Sequence, residues 1–326
     1  MSFKKFEEAQ EEVKLGKGFL DCGAFSVLTG QWEQLPIDAY IRFIEDHHEK
    51  FELMAAPDVI GSAEQTALNL KYFVEALQKI GIWEKVAPHI LVTYHLGDRD
   101  YITMAAMLNY AWQQGIHWLA VGGIVTPNTS LSQRFVGISE VLSIVKHKLR
   151  LPFKIHLFGG YTPEYIRAFL PDSVDSSTYM QKARMLQSFR YMPNTWEMRT
   201  YKAPRHSDTE LLDFVMKQFE PLYELTSIVD KVELRHELSR IPDGVKFWVL
   251  NGLYMRLFEA EVRLKKPNFR YWMTVASLDD GLRYGDYVSN FLFTKMWKDA
   301  SLVSFVSFYN PITRTFKNEQ KLNLLQ

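Results

Sequence analysis

Four ionisable side chains, Asp21, Asp58, His95 and Asp175, each stand near the end of a short apolar run. Carboxyl groups and an imidazole gathered on one rim can pass protons, and a carboxylate can also bond to an electrophilic carbon. The same residue types ligate metals. A metal-assisted hydrolysis with Asp21, His95, His156 and Asp175 as ligands is therefore a second chemistry open to this set. Small residues follow the acid in Leu20-Asp21-Cys22-Gly23-Ala24-Phe25, and glycine pairs stand at two further strand ends, Gly122–Gly123 and Gly159–Gly160. Such residues let a flat ligand approach the backbone closely. Each position also has a plainer role. Asp58 or Asp175 could cap a following helix, and Asp172, after Pro171, reads as a turn residue. His95 and His156 could be core histidines with a backbone partner, which for His156 is the preferred reading.

The elements that must position these groups follow a regular rhythm over the first 180 residues. Apolar runs at Gly18–Phe25, Phe51–Ile60, His89–Leu96, His117–Val125, Phe153–Gly160 and Ser173–Tyr179 have the length and composition of strands buried on both faces. Amphipathic helices are predicted between them at Ile37–His48, Ser62–Ile80, Asp100–Gln114, Ser130–Lys148 and Thr162–Leu170. Ser62 with Glu64–Gln65 looks like a capped start, and Gly81 and Gly115 fall where helices would end. Alternation at a period near 30 residues implies parallel strands with crossover helices. Six in succession favour a TIM-type (β/α)8 barrel, in which polar strand ends collect at the mouth. A doubly wound open sheet is the alternative that periodicity alone leaves open. The second half is less regular. Thr195–Ala203 could be a seventh strand, Arg270–Ser277 another, and Leu302–Tyr309 is a further apolar run. Asp208–Ile241 and Val245–Leu264 look like long helices, so 208–265 reads as a helical insertion within a single barrel domain spanning 1–326.

Bulk properties set outer limits. At 326 residues and 47% hydrophobic, the chain can bury a large core. It has no run of about 18 apolar residues, so no membrane partner is expected, and its charged N-terminus does not resemble a secretory signal. Its single cysteine, Cys22, excludes an internal disulfide and any multi-cysteine zinc site and suits a cytoplasmic location. The 38 basic and 38 acidic side chains balance, so net charge lends no support to a nucleic-acid partner. Local basic clusters do occur at Lys146–Arg150, Lys202–His206, Arg263–Arg270 and Arg314–Lys317.

Taken in order, residues 18–180 resemble the tRNA-guanine transglycosylase superfamily, and most of all its phage and bacterial branch that places 7-deazaguanines in DNA. Leu20-Asp21-Cys22-Gly23-Ala24-Phe25-Ser26 is similar to that family's Asp-Ser-Gly-Gly/Ala-Phe segment, with Cys22 where serine is usual. Ala56-Pro57-Asp58-Val59-Ile60-Gly61 resembles the strand end bearing its base-recognition aspartate. Tyr94-His95-Leu96-Gly97-Asp98 falls where the family has a polar side chain before a glycine. Leu119-Ala120-Val121-Gly122-Gly123-Ile124 resembles its Gly-Gly base-binding loop. Ile155-His156-Leu157-Phe158-Gly159-Gly160 and Val174-Asp175-Ser176-Ser177-Thr178 resemble its last two signature strands, the second carrying the nucleophile. The three-cysteine, one-histidine zinc site of the tRNA enzymes cannot exist with one cysteine, which points toward DNA rather than tRNA.

The resemblance implies a base exchange through a covalent aspartyl–sugar intermediate. Asp175 would be the nucleophile and Asp21 would carry the proton of the departing and arriving base. Asp58 would accept from guanine N1–H and its amine, with Gly122, Gly123 and His95 as further contacts and Phe25 and Phe158 on the ring faces. The partners implied are DNA, or tRNA as the alternative, and a free base such as 7-cyano-7-deazaguanine. No cofactor is required, a homodimer is compatible with the sequence, and a phage-encoded chain would act in the host cytoplasm. A catalytically dead nucleic-acid-binding relative is a further alternative.

Overall fold

A computed structural model describes residues 18–273 apart from 31–32, 125–129, 161, 177, 193–196, 205–206, 221 and 223–229. They fall into two compact units, one of residues 18–160 and 168–175, the other of residues 162–167 and 176–273.

The first unit carries the predicted rhythm. In chain order it holds β1 (Gly18–Leu20), α1 (Ala24–Leu28), α2 (Ile37–His47), β2 (Phe51–Ala55), α3 (Ala63–Ile80) and α4 (Trp83–Val86). Next come β3 (Ile90–His95), α5 (Tyr101–Gln113), β4 (Trp118–Gly122), α6 (Leu131–Ser143) and β5 (Lys154–Leu157). A helix at Pro163–Phe169, α7, whose residues 163–167 belong to the second unit, then leads to β6 (Ser173–Ser176). All six residues of β3 are buried, as a strand covered on both faces requires. Helix starts follow their capping chemistry. Ser62 and Asp100 accept from the amides of Gln65 and Thr103, and Ser130 closes a capping box with Gln133. Gly81 and Gly115 take the left-handed conformation past α3 and α5. The end of the predicted Ser130–Lys148 helix loosens into a wider π turn over Ile144–Leu149.

Strands β1 to β6 lie side by side in sequential order, and each pairs in parallel with the next. A doubly wound sheet would reverse its order at a switch point, and none occurs among these six. The sheet is also curled. In a flat sheet β1 and β5 would be roughly 19 Å apart at about 4.8 Å per strand, yet the rings of Phe19 and His156 are 5.0 Å apart. A mixed α/β fold results, its parallel strands curved as in a TIM-like barrel and separated by helices.

The predicted first strand is longer than the observed one. The chain leaves β1 after Leu20, Gly23 takes φ 97°, and Ala24 and Phe25 begin α1. Left-handed backbone at Gly23 costs little without a Cβ, and it ends the strand where an apolar run alone would continue.

The second unit holds α8 (Thr178–Arg184), β7 (Gln187–Met192), β8 (Glu197–Lys202), α9 (Asp208–Phe219), α10 (Lys231–Ser239), α11 (Asp243–Lys265) and β9 (Arg270–Met273). The reading of Thr195–Ala203 as a seventh barrel strand is corrected here. Of its described residues, Glu197–Lys202 form β8, which pairs antiparallel with β7 from Gln187↔Lys202 to Met192↔Glu197. The side chains of β8 are all at least partly exposed, so the strand lacks the two-sided burial of a barrel strand. The helix predicted at Asp208–Ile241 is found as α9 and α10. Asn251 of α11 fixes β7, accepting from the Phe189 amide at 2.6 Å and donating to the carbonyls of Tyr179 and Gln187 at 3.0 Å. Of the Arg270–Ser277 strand, Arg270–Met273 is described, and Leu302–Tyr309 and Arg314–Lys317 lie outside the described residues. Among the described residues, no helix is long and apolar enough to cross a membrane.

Candidate active site

Every predicted site residue lies in the first unit, at the edge where its parallel strands end. Side chains two apart on a strand share a face. Phe19 and Asp21 therefore point the same way, as do His156 and Phe158, and Ser173 and Asp175. The 5.0 Å contact of Phe19 with His156 identifies that face as the inner one. Asp175 thus projects inward from β6, and Asp21, which continues β1 by a single bridge, lies close enough to Asp58 and Asp175 to feel their charges.

Asp21 follows β1 directly and is partly buried. Burial raises its pKa, and the neighbouring Asp58 and Asp175 carboxylates raise it further, against a hydrogen bond from the Gly23 backbone, to about 6. Asp175 sits in β6 with 16% of its side chain exposed. Its Oδ1 accepts from the Gly159 amide at 2.7 Å and lies 3.4 Å from His156 Nε2. The expected backbone partner of His156 is replaced by a side chain: Nδ1 meets Ser173 Oγ at 2.8 Å. Asp172, read as a turn residue, sits at a bend before β6 and is tied to β5, its carboxylate accepting from the Ile155 amide at 2.8 Å and its own amide donating to the Ile155 carbonyl at 2.7 Å.

Asp58 is not a helix cap; Ser62 has that role for α3. The Asp58 carboxylate is buried and engaged at both oxygens. Cys22 Sγ–H donates to Oδ1 at 2.7 Å and His95 Nε2–H donates to Oδ2 at 2.5 Å. Any ligand donor would have to use the remaining lone pairs of those oxygens. Burial disfavours charge on His95, but the hydrogen bond and charge of Asp58, with Asp98 and Asp21 nearby, outweigh it and raise the His95 pKa. Burial beside Asp58 and Asp21 pushes the Cys22 thiol well above its usual range, so it acts as a donor and not a nucleophile.

His95 and Gly122 are register partners across β3 and β4. A Cβ at Gly122 would come within 2.6 Å of His95 Cε1 and closer still to Nδ1. Gly122 therefore makes room for the imidazole, a role its sequence context did not reveal. Gly122→Ala is expected to cost about 1–3 kcal/mol through overpacking. The check is a lower urea midpoint at unchanged slope, and an unaltered midpoint would contradict this packing. Gly123 adopts φ 76° beside the backbone of Leu96 and Gly97. Phe25, on α1, is 64% exposed. Phe158 is half-buried against Phe19 and His156, at centroid distances of 5.8 and 4.8 Å.

Two contributions were missed in the sequence. Cys22 is a hydrogen-bond donor to Asp58, and Asp98, three residues past His95, is a half-buried neighbour of the same cluster. Both Asp98 oxygens are screened from water, and burial raises its pKa although His95 pulls it down. Among the described residues, no three His, Cys, Asp or Glu side chains are arranged to hold a metal ion.

The basic clusters are less well placed than their sequence suggests. Lys146, His147, Lys148 and Arg150 are exposed, but they follow α6 and precede β5. They therefore stand at the edge where strands begin, opposite the site. Arg263 is engaged within its own unit by Glu259 and the Phe269 carbonyl.

No model of a known protein family matches this chain, and no curated protein is significantly similar to it.

Proposed function

We propose that this chain is a guanine transglycosylase that replaces guanine in DNA with a 7-deazaguanine, on a complete (β/α)8 barrel. The observation that carries this reading is the proximity of Asp21, its pKa lifted to about 6, to the Asp175 carboxylate. Two carboxyl groups in unlike environments can divide the work of acid and nucleophile.

In the proposed reaction an Asp175 oxygen attacks C1′ of the sugar. The glycosidic bond breaks, its electrons leave with guanine, and the proton from Asp21 neutralises the departing base. The incoming base then returns a proton to Asp21, bonds to C1′ and displaces Asp175, which regains its carboxylate. Protons and electrons balance, and no water is consumed. Asp58 and His95 supply the polar recognition of the base, with Gly123 allowing close approach. In duplex DNA the target would first leave the stack, at a cost of a few kcal/mol.

The choice of DNA over tRNA rests on the single cysteine, which precludes the zinc site of the tRNA enzymes. The test is release of label from guanine-labelled duplex DNA and from labelled tRNA in the presence of 7-cyano-7-deazaguanine. Release from DNA alone is expected. Release from tRNA alone would change the substrate and keep the chemistry, and release from neither would overturn the proposal.

A further inference from the structure

The buried histidine of β5 is the group that this mechanism leaves unused. His156 has no exposed surface, lies between the rings of Phe19 and Phe158, and is opposite Ser173 in the register of β5 and β6. Its Nδ1 meets Ser173 Oγ at 2.8 Å. Its Nε2 has no hydrogen-bond partner and faces Asp175 Oδ1 at 3.4 Å.

The position of the ring proton follows from electrostatics. A hydroxyl can donate or accept, so Ser173 suits either tautomer. Asp175 does not. With the proton on Nδ1, the Nε2 lone pair would point at carboxylate lone pairs in a site of low dielectric, where repulsion is strong. With the proton on Nε2, Ser173 Oγ–H donates to Nδ1 and Nε2–H points at the acid. The second arrangement puts Nε2–H beside the carboxylate oxygen that the Gly159 amide already holds.

We propose that His156 is a positioning residue for Asp175, holding Oδ1 with an Nε2–H whose tautomer the Asp175 carboxylate selects and Ser173 accommodates. The inference rests on Asp175 being the nucleophile. Fixing Oδ1 directs the other oxygen toward the sugar carbon. When the ester breaks in the second half of the exchange, negative charge returns to the carboxylate, and donors already aimed at it stabilise that charge as it develops. At 3.4 Å the contact is loose in the resting protein, and it tightens as the charge grows.

The test combines kinetics with a measurement that does not depend on turnover. His156→Phe keeps a ring but removes the donor, and is expected to lower kcat on the order of 10²-fold, as loss of one such donor does. KM for the incoming base should stay within about twofold, because the base itself is not touched. His156→Gln restores an N–H near the Nε2 position and should recover roughly tenfold of that loss. A purely structural role would make the two variants equally slow, and that result overturns the proposal. Long-range 1H–15N NMR of the ring is expected to show the Nε2–H tautomer in the wild type and in Ser173→Ala, and a mixture in Asp175→Ala. An Nδ1–H tautomer in the wild type, or an Nε2–H tautomer unchanged by Asp175→Ala, overturns it even if His156→Phe does not fold. Absence of exchange by the wild type would remove the transglycosylase reading alone, and the tautomer would still decide the contact.

Discussion

Asp175→Ala is expected to abolish guanine release, with a loss of at least about 10⁴-fold, while the protein stays folded. The size follows from the role. A covalent nucleophile has no substitute in the site, and removing one leaves only the residual catalysis of binding and preorganised charge. His156 and the Gly159 amide approach Asp175 but cannot attack carbon, and Asp21 serves as the acid. The fold should tolerate the change, because Asp175 is partly exposed and its partners lose one acceptor without losing a packed side chain. Circular dichroism and thermal unfolding check the second half of this expectation. A folded variant that still releases guanine at a tenth of the wild-type rate would show that another group attacks the sugar.

The second large effect has opposite signs in stability and in activity. Asp21 has a folded-state pKa of about 6, whereas an unfolded aspartate titrates near 4. Between those values the folded protein binds more protons than the unfolded chain, so Asp21 lowers stability as pH rises from about 4 to about 6. Above about 6 that cost is fully present, and below about 4 it is absent. Asp21→Asn carries no titrating group and escapes it. The variant is expected to be more stable than wild type at pH 7, on the order of 2 kcal/mol after discounting for partial exposure, with the gain vanishing toward pH 4. Urea titrations at the two pH values measure this. The same substitution should slow guanine release about 10²–10⁴-fold, the usual worth of a positioned general acid. In the wild type, release under single-turnover conditions should fall as pH rises through about 6, where the proton is lost. An Asp21→Asn protein that is less stable at pH 7, or a release rate flat from pH 5 to 8, would contradict the assigned acid.

Much of the first unit was legible because its strands are buried on both faces and its helices carry their own start and stop residues. The apolar run at Ile90–His95 and the caps at Ser62, Asp100 and Ser130 are local signals that the sheet and helices obey. The inward direction of Asp175 follows from the two-residue period of a strand once Phe19 and His156 are known to meet. What stayed hidden depends on register. Nothing local to Gly122 says that the His95 ring lies against it, and nothing local to Cys22 says that its thiol reaches Asp58. The same limit explains β8. Its alternating residues read as a strand, but whether a strand joins a parallel barrel or an antiparallel hairpin is set by its partner, and the Gln187–Met192 run was not recognised as that partner. His156 illustrates the reverse case. Its burial was foreseen, yet the serine opposite it and the acid beyond came from the alignment of β5 with β6.

The most direct test of the account is capture of the covalent intermediate. Wild-type protein would be mixed with a guanine-containing DNA duplex without an incoming base, quenched by denaturation, and examined by intact mass and peptide mapping. The account predicts a protein–DNA adduct that lacks one guanine, maps to Asp175, disappears on addition of 7-cyano-7-deazaguanine and is absent from Asp175→Ala. Guanine exchange that proceeds with no adduct, and equally well in Asp175→Ala, would contradict it.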